Sequence, residues 1–584
     1  MSSTMRVTST DGVTLAVTET GDAGAPTVVC IHGCPDNSSI WDGVFAELRE
    51  RYHLVRYDVR GAGASDQPKA RSAYRLDQLI ADLAAVIDAV SPDQRVHLLA
   101  HDWGSIQAWH AVTDERVRAR VASFTSISGP NLDHAGAWIR SGLRPGGAKL
   151  RHVGRQLLES SYILLFNLPG LPELLWRTGV LDRTLAASAL IGRGSAPAAV
   201  EPRRTLADKV NAMQLYRANM LSHLRRPRPQ TTDIPIQVIA PTLDVFASPA
   251  LQFGAPRPWA SDLRTRSVAG GHWVVWTRPD VIARLASELV DHVAGGPQPR
   301  ALAKARSCRR RKPFDGQLAV VTGAGRGIGR ETALAFAERG ADVVVADVND
   351  AGADETVELA RKLGVDAGAY HLDVSDEEAF ERFAKQVRAD YDVPDIVVNN
   401  AGIGMAGPFL ATSVEDWNRI IDVNLWGVIH GSRLFGQQLL ERGQGGTIVN
   451  VASAAAYSPS RMLPAYSTTK AAVLMLSQCL RAELGRDGIG VVAICPGFVN
   501  TDITRATQYL GVDADAQERL RQQAAQAYGR RNYSPRRVAT HIVKATEQNR
   551  PIARITVESK VFDALSRFTP AAARALAKVD LNQI

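Results

Sequence analysis

The sequence predicts an α/β fold, organised as two α/β domains in series. A chain of 584 residues is too long for one hydrophobic core. Short apolar runs alternate with helical patterns, which indicates buried parallel strands. This alternation stops near Ala294 and restarts after residue 313. We therefore predict a first domain over residues 1–295, a basic Pro/Gly linker over 296–313 and a second domain over 314–584.

The runs that predict strands are short, continuous and apolar. They are residues 27–31, 53–57 and 96–100 in the first domain, and 318–322, 342–346, 395–399, 446–450 and 490–494 in the second. Between Asn131 and about Gln230 this signal fades, and helical sequence rich in Arg and Leu replaces it. We predict that this segment is a helical insertion that forms a lid over a site.

The composition fits an ordinary globular protein, with 45% apolar and 22% charged residues. The five cysteines show no zinc-site spacing, so we expect a reduced, cytoplasmic setting and no metal centre. The first 20 residues have no signal-peptide pattern, and no stretch is apolar enough to span a bilayer.

The net charge of +8 is partly concentrated in the linker. The basic cluster consists of Lys304, Arg306, Arg309, Arg310, Arg311 and Lys312. Such a cluster is most often a solvated surface. No aromatic side chains alternate with it, so we expect no nucleic-acid partner. Peripheral contact with an anionic membrane through this linker stays open.

A tight turn in the first domain carries an aspartate. Residues 96–104 predict a strand, a sharp turn with small residues at Ala100 and Gly104, and a helix that begins near Ser105. This geometry presents Asp102 at the carboxyl end of the sheet. A carboxylate in that place can attack saturated carbon and form an alkyl ester.

Hydrolysis of that ester needs a base, an acid that orients the base and an oxyanion hole. Asp244 follows a predicted strand and His272 comes later, in the order nucleophile, acid, histidine. The backbone N–H groups of Cys34 and Trp103 are the candidates for the oxyanion hole.

The first domain resembles the epoxide hydrolases of the α/β-hydrolase fold across nearly its whole length. The motifs that carry the resemblance are 32–35, 58–65, 101–104, Asp244 and His272. It implies that two lid tyrosines hydrogen-bond the epoxide oxygen, and the segments around Tyr162 and Tyr216 match them. Haloalkane dehalogenases share the aspartate nucleophile and remain an alternative, although a halide needs indole or amide donors.

A glycine-rich loop opens the second domain. Gly323, Arg326, Gly327, Ile328 and Gly329 lie between a predicted strand and a helix, where glycines let the backbone approach a pyrophosphate. Asp347, at the end of the next strand, can bind ribose hydroxyl groups and would repel a 2′-phosphate. We therefore predict NAD as the cofactor, while Arg326 is the feature that would favour NADP.

Tyr466 and Lys470 lie one helical turn apart, an arrangement that suits a tyrosine base assisted by an ammonium group. Ser453 can hydrogen-bond the substrate oxygen, and Asn424 completes the set. From Phe314 to about Thr501 this domain resembles short-chain dehydrogenase/reductases with a Rossmann-type sheet. The resemblance implies further cofactor-site residues, which are Asp373, Val374, Asn400, Ala401, Gly402, Pro496, Gly497 and Thr501.

The complete chain resembles the fused epoxide hydrolase–short-chain dehydrogenase proteins of mycobacteria and related actinobacteria. The resemblance implies a bifunctional enzyme that converts a lipid-like epoxide to a diol and interconverts an alcohol and a ketone with NAD. It also implies association into homo-oligomers through the dehydrogenase domain. The alternative of another class is a membrane-surface scaffold with idle catalytic sets, anchored by the basic linker.

Overall fold

The computed structural model describes residues 2–143, 150–190, 201–306, 312–501 and 503–577. The chain forms two compact units, residues 1–308 and 309–584, so the boundary falls inside the predicted linker. Arg309, Arg310 and Arg311 of the basic cluster lie outside the described residues. Among the residues described, no helix has the length and apolar character needed to cross a membrane.

The first unit is built on one eight-stranded sheet. Its strands are β1 (Ser2–Thr8), β2 (Thr14–Thr20), β3 (Thr27–Ile31), β4 (His53–Tyr57), β5 (Val96–His101), β6 (Val121–Ile127), β7 (Ile236–Pro241) and β8 (Leu263–Val268). Their order is β1-β2-β4-β3-β5-β6-β7-β8. β2 pairs antiparallel with β1 and β4, and all other pairs are parallel.

Helices cover the sheet, and every residue of β3, β5 and β7 is buried, as their continuous apolar runs require. The helices are α1 (Asp42–Leu48), α2 (Leu76–Val90), α3 (Trp103–Ala111), α4 (Glu115–Arg118), α5 (Leu132–Gly142), α6 (Leu150–Glu159), α7 (Tyr162–Asn167), α8 (Leu171–Arg177), α9 (Val180–Leu190), α10 (Leu206–Arg225), α11 (Pro249–Gly254), α12 (Val274–Thr277), α13 (Pro279–Val293) and α14 (Arg300–Lys304). Between β6 and β7, the described residues form the six helices α5 to α10 and no strand. This is the segment for which the sequence predicts a helical lid.

Part of the predicted linker belongs to the first unit. Leu302, in α14, is fully buried, and the N–H of Thr265 on β8 donates to the carbonyl oxygen of Ala305 at 2.8 Å. Arg306 pairs with Asp262 at 3.4 Å. Residues 300–306 therefore pack on the first unit and are not a free connecting segment, although Ala303 and Arg306 are exposed. The basic residues around Leu302 gave no sign of this one-turn helix, in which Leu302 is the buried residue.

The second unit contains nine strands among its described residues. They are β9 (Leu318–Thr322), β10 (Asp342–Asp347), β11 (Ala367–His371), β12 (Ile396–Asn399), β13 (Met405–Ala406), β14 (Gly446–Val451), β15 (Ile489–Cys495), β16 (Gln508–Tyr509) and β17 (Ile552–Arg554). Seven form a sheet in the order β11-β10-β9-β12-β14-β15-β17, and all its pairs are parallel. β13 and β16 form a separate pair.

The strand order reverses between β9 and β12, which is where doubly wound sheets bind their ligands. The helices are α15 (Gly327–Glu338), α16 (Asp350–Lys362), α17 (Glu377–Tyr391), α18 (Val414–Ile421), α19 (Gly427–Arg442), α20 (Pro464–Leu484), α21 (Ile503–Ala506), α22 (Ala514–Arg531), α23 (Pro535–Glu547), α24 (Val557–Phe568) and α25 (Pro570–Leu576). The predicted fold class is confirmed for both units.

Candidate active sites

A tight turn joins β5 to α3 in the first unit. Asp102, the residue at the turn, has a φ of 50° and a ψ of −119°, a conformation that is strained for any residue except glycine. The surroundings admit only small neighbours, because a Cβ on Gly104 would lie 2.3 Å from the carbonyl oxygen of Ile31. α3 begins at Trp103, two residues before Ser105, and Asp102 is the N-cap residue of the helix. The turn thus holds the carboxyl group at a helix N-terminus.

Backbone N–H groups donate to this carboxylate. The N–H of Cys34 donates to Asp102 Oδ2 at 2.7 Å, and the N–H of Trp103 also donates to the carboxylate. The structure therefore brings the two predicted oxyanion-hole groups together on the predicted nucleophile. Burial raises the pKa of Asp102 to about 6, although His272 and both N–H groups act in the opposite direction. At neutral pH the group is ionised.

His272 lies between two carboxylates. Its Nδ1 is 3.1 Å from both oxygens of Asp244, and its Nε2 is 3.7 Å from Asp102 Oδ1. Asp244 is buried and accepts the N–H groups of Phe246 and Ala247. Burial alone would lower the pKa of His272, but Asp244 raises it above its usual value. The predicted nucleophile, base and orienting acid therefore form one contiguous set.

Two lid tyrosines lie beside this set. Tyr162 begins α7 and Tyr216 lies in α10, with ring centroids 5.9 Å apart. Tyr216 packs edge-on against Trp103 at 4.9 Å. Burial, with a further contribution from Asp102, raises the pKa of both hydroxyl groups. Both tyrosines are therefore protonated at neutral pH and can donate hydrogen bonds.

An ion pair next to the site was missed by the sequence analysis. Asp36 is 2% exposed and accepts hydrogen bonds from Arg204 Nε at 2.5 Å and from the indole N–H of Trp273 at 3.2 Å. Because Arg204 precedes α10 and Trp273 follows His272, the pair connects the lid to the histidine loop. Asp36 directly follows the motif at residues 32–35, which is a signal that could have identified it, whereas nothing in the sequence pointed to Arg204.

In the second unit the glycine loop lies between β9 and α15. Gly323 and Gly327 have φ angles of 61° and 60°, which favour glycine. The N–H of Gly325 donates to Asp347 Oδ2 at 2.8 Å, and a Cβ on Gly325 would lie 2.9 Å from Asp347 Cγ. The loop and the carboxylate therefore form a close backbone cradle beside a helix N-terminus, which suits a dinucleotide.

Thr322 fixes this loop to the adjacent strand, a role that the sequence analysis missed because Thr322 ends an apolar run. Its Oγ1 accepts the N–H groups of Asn400 at 3.1 Å and Ala401 at 3.2 Å. The Asn400 side chain donates to the carbonyl oxygens of Thr322 and Gly323, both at 3.0 Å. The segment after β12 is thereby held against the glycine loop.

The catalytic residues predicted for the second unit meet at the start of α20. Lys470 Nζ lies 5.9 Å from the centroid of the Tyr466 ring and donates to the carbonyl oxygen of Val451 at 3.0 Å. Burial raises the pKa of Tyr466, while a hydrogen bond with Ser453 opposes the shift. Burial lowers the pKa of Lys470 to about 8. The three predicted groups are therefore adjacent, and Lys470 is buried from solvent.

Asn424 joins this group through a π-helical turn, Asp422–Trp426, between α18 and α19. Its Oδ1 accepts the N–H of Ile403 at 2.8 Å, and its Nδ2 donates to the Ile403 carbonyl oxygen at 3.0 Å. A Cβ on Gly402 would lie 3.1 Å from Asn424 Oδ1 and 3.4 Å from Lys470 Nζ. Gly402 thus leaves room between the two side chains.

The other predicted cofactor residues follow strands of the same sheet or approach the loop. They are Asp373 and Val374 after β11, Asn400, Ala401 and Gly402 after β12, Pro496 and Gly497 after β15, and Thr501, whose Cγ2 is 3.8 Å from where a Gly327 Cβ would lie. Within the glycine loop, Arg326 is exposed, and Ile328 and Gly329 lie in the first turn of α15.

α22 brings one further side chain to the second site. The ring of Tyr528 is 5.2 Å from that of Phe498, and burial together with nearby Tyr466 raises the pKa of Tyr528. The resemblance that guided the sequence analysis becomes less distinctive beyond Thr501, so nothing pointed to this tyrosine.

Two family models match the chain. A model of the alpha/beta hydrolase fold matches residues 26–145, which include Cys34 and Asp102, and a short chain dehydrogenase model matches residues 317–509, which include Tyr466 and Lys470. The chain therefore combines an α/β-hydrolase domain with a short-chain dehydrogenase domain.

The chain is similar to one group of known proteins over nearly its full length and to others over less than half of it. The probable oxidoreductase EphD of Mycobacterium tuberculosis is 42% identical over 98% of both chains. The short chain dehydrogenase/reductase astE of Aspergillus oryzae is 40% identical over 34% of this chain and 77% of its own. A short chain dehydrogenase/reductase from Burkholderia phymatum, solved in complex with NAD, is 28% identical over 46% of this chain and 98% of its own, with a TM-score of 0.42. This chain belongs to the two-domain family that includes EphD.

Proposed function

We propose that the first unit hydrolyses an epoxide to a vicinal diol through an ester on Asp102. The observation that carries the proposal is the set of groups that surround the Asp102 carboxylate. Two backbone N–H groups donate to the carboxylate, that of Cys34 to Oδ2, while Oδ1 lies 3.7 Å from His272 Nε2 and two protonated tyrosines lie nearby. A carboxylate held in this way is suited to attack carbon.

In the first step an oxygen of Asp102 attacks one epoxide carbon, the ring C–O bond breaks, and the ring oxygen takes a proton from Tyr162 or Tyr216. In the second step a water molecule gives a proton to His272 and attacks the ester carbonyl carbon. Negative charge then develops on the oxygen held by the two N–H groups. The bond to the alkyl oxygen breaks, His272 protonates that oxygen, and the second water proton restores the tyrosine.

An apolar, lipid-like substrate fits the surface of the lid. Leu158, Leu164 and Leu174 lie on three successive lid helices and are 78%, 66% and 56% exposed. Exposed large apolar side chains that recur on each of these helices suit contact with an apolar substrate. We propose that these leucines receive the chain of the substrate near the site.

Epoxide opening is our preferred reaction over halide displacement because two protonated tyrosines lie beside the nucleophile. The two tyrosines present O–H groups to the reacting centre. The indole N–H of Trp273, next to the catalytic histidine, donates to Asp36, whereas the buried indole N–H of Trp103, next to Asp102, is the donor that a halide would use. Measuring halide release from a haloalkane against diol formation from the matching epoxide tests this choice, and we expect diol formation alone.

For the second unit, an oxidoreductase domain, we propose the interconversion of a secondary alcohol and a ketone with NAD. The glycine cradle with Asp347 and the space above Gly402 fit this cofactor, which accepts the hydride from the alcohol carbon when bound. Tyr466 takes the hydroxyl proton, Ser453 hydrogen-bonds the substrate oxygen, and the Lys470 ammonium group favours the tyrosinate.

The two reactions also fit in sequence, because a vicinal diol carries the alcohol groups that the second site oxidises. Fusion raises the effective concentration of a poorly soluble intermediate. The test supplies a long-chain epoxide and NAD to the whole protein and follows products by mass. Wild type should form a hydroxyketone, Tyr466→Phe should stop at the diol, and Asp102→Ala should form neither.

The ester itself is tested with His272→Gln, because opening the epoxide needs no base whereas hydrolysis does. The mass of this variant should rise by that of one epoxide, and His152→Gln, which changes an exposed histidine, should show no such gain. Absence of the adduct would favour direct attack by water. Hydroxyketone formation by Asp102→Ala would contradict the sequential scheme.

A further inference from the structure

Three side chains with metal-binding groups meet at the C-terminal end of α3, outside both catalytic sets. His110 lies in the last turn of α3, Asp133 in the first turn of α5, and His223 in the last turn of α10. One candidate ligand atom from each residue lies within 4.8 Å of the other two. The three residues are far apart in the sequence, so their spacing gave no signal of a metal site.

Asp133 links the two histidines. Its Oδ2 is 3.1 Å from His223 Nδ1 and 4.0 Å from His110 Nδ1, and the two imidazole centroids are 5.1 Å apart. Ligand atoms around tetrahedral zinc stand about 3.3 Å apart. Binding would therefore need only small side-chain shifts. The side chain of His223 is 30% exposed, which gives it room to move and gives an ion access from solvent.

The surroundings orient these groups. The second oxygen of Asp133, Oδ1, accepts the N–H of Arg228 at 2.9 Å, which turns Oδ2 towards the histidines in the manner of a metal ligand held by an outer hydrogen bond. The side chain of His110 is only 10% exposed, and its Nε2 has no hydrogen-bond partner among the described residues. Rotation of the His110 ring exchanges the positions of its two nitrogens, so the nitrogen that now lacks a partner can turn towards a metal ion.

We propose that His110, Asp133 and His223 bind a divalent transition-metal cation, with Zn²⁺ as the expected ion and water in the remaining position. Two imidazoles and one carboxylate are a ligand set that Zn²⁺ accepts. The ion would join α5 and α10, the first and last helices of the lid segment, to α3, the helix that follows Asp102. Its role is to hold the base of the lid, and neither proposed reaction uses it.

The test titrates Zn²⁺ alone into the whole protein after treatment with a chelator, by isothermal titration calorimetry. Wild type should bind one equivalent. His223→Ala removes the most exposed ligand and should weaken binding by about tenfold or more. Asp133→Asn keeps the side-chain shape and an oxygen for the Arg228 hydrogen bond, and should weaken binding in the same way.

His152→Ala is the matched control, because His152 is exposed on α6 of the same unit and lies outside the cluster. It should bind Zn²⁺ as wild type does. Zn²⁺ should also raise the Tm of wild type and of His152→Ala but not of His223→Ala, with circular dichroism checking that each variant is folded. The proposal is overturned if wild type binds Zn²⁺ no more tightly than His223→Ala, or if His152→Ala loses as much affinity.

Discussion

The reacting groups of the first unit come from separate segments of the chain, whereas the central pair of the second unit lies on one helix. Asp102 follows β5, His272 lies beyond β8, and the tyrosines come from the lid helices α7 and α10. Tyr466 and Lys470 are one turn apart on α20. The first site therefore depends on how loops and lid are held together, and the second depends mainly on one helix and the strand beside it.

Burial shifts the pKa of one charged group in each site, and the two shifts have opposite directions. It raises the pKa of the Asp102 carboxyl group to about 6 and lowers that of the Lys470 ammonium group to about 8. In each case removal from water disfavours the charged form. Backbone groups offset this penalty, with N–H donors on Asp102 and the Val451 carbonyl oxygen on Lys470. Both groups still carry their charge at pH 7.

The largest expected effect separates the two sites completely. Asp102→Ala removes the nucleophile and should lower epoxide hydrolysis by more than about 1,000-fold, while oxidation of an added diol with NAD stays unchanged. Tyr466→Phe should do the reverse. Steady-state rates of both reactions on each variant check this. A loss of both activities in either variant would show that the sites do not act independently.

The contrast also explains what could be predicted from the sequence. Fixed spacing on one helix identified Tyr466 and Lys470, and a fixed turn identified Asp102. Arg204 was missed because its partner, Asp36, is reached only through the folding of the lid. The burial of Leu302 was not predicted, because composition describes a whole segment, whereas burial depends on how one short helix packs in the folded unit.

The next largest effect tests whether the ion pair between Asp36 and Arg204 stabilises only the first unit. Arg204→Ala would leave the buried carboxylate of Asp36 without its partner and should destabilise the first unit by about 3 kcal/mol. The control Arg155→Ala removes an exposed i,i+4 pair with Glu159 and should cost about 0.5 kcal/mol or less. Hydrogen exchange in urea, read by mass spectrometry, follows each unit separately. Equal losses in the two variants would contradict this account.

Cofactor choice should depend on one carboxylate in the second unit. Asp347→Ala removes the group predicted to bind the ribose and to repel a 2′-phosphate. The ratio of kcat/KM for NAD to that for NADP should fall by about tenfold or more, since hydrogen bonds to a charged group contribute about 1.5–3 kcal/mol. Arg326→Ala, in the same loop, should leave NAD binding nearly unchanged. Wild-type protein that prefers NADP would overturn the assignment.

The smallest effect is a difference in how the reaction rates of the two sites depend on pH. Attack on the epoxide needs the ionised form of Asp102, whose pKa is about 6, so the rate should fall as the pH drops below 6 and be about tenfold lower at pH 5 than at pH 7. Ester formation in His272→Gln isolates this step, and its midpoint should lie at or slightly above 6, because His272 normally lowers the Asp102 pKa. Ketone reduction by the second unit needs protonated Tyr466 and charged Lys470, so it should not fall from pH 7 to pH 5 but should decline above about pH 8. Ester formation is measured by quenched-flow mass spectrometry, and ketone reduction is measured by the rate of NADH oxidation, both across this pH range.

Ester formation that stays constant down to pH 5 would show that burial does not raise the Asp102 pKa in the folded protein.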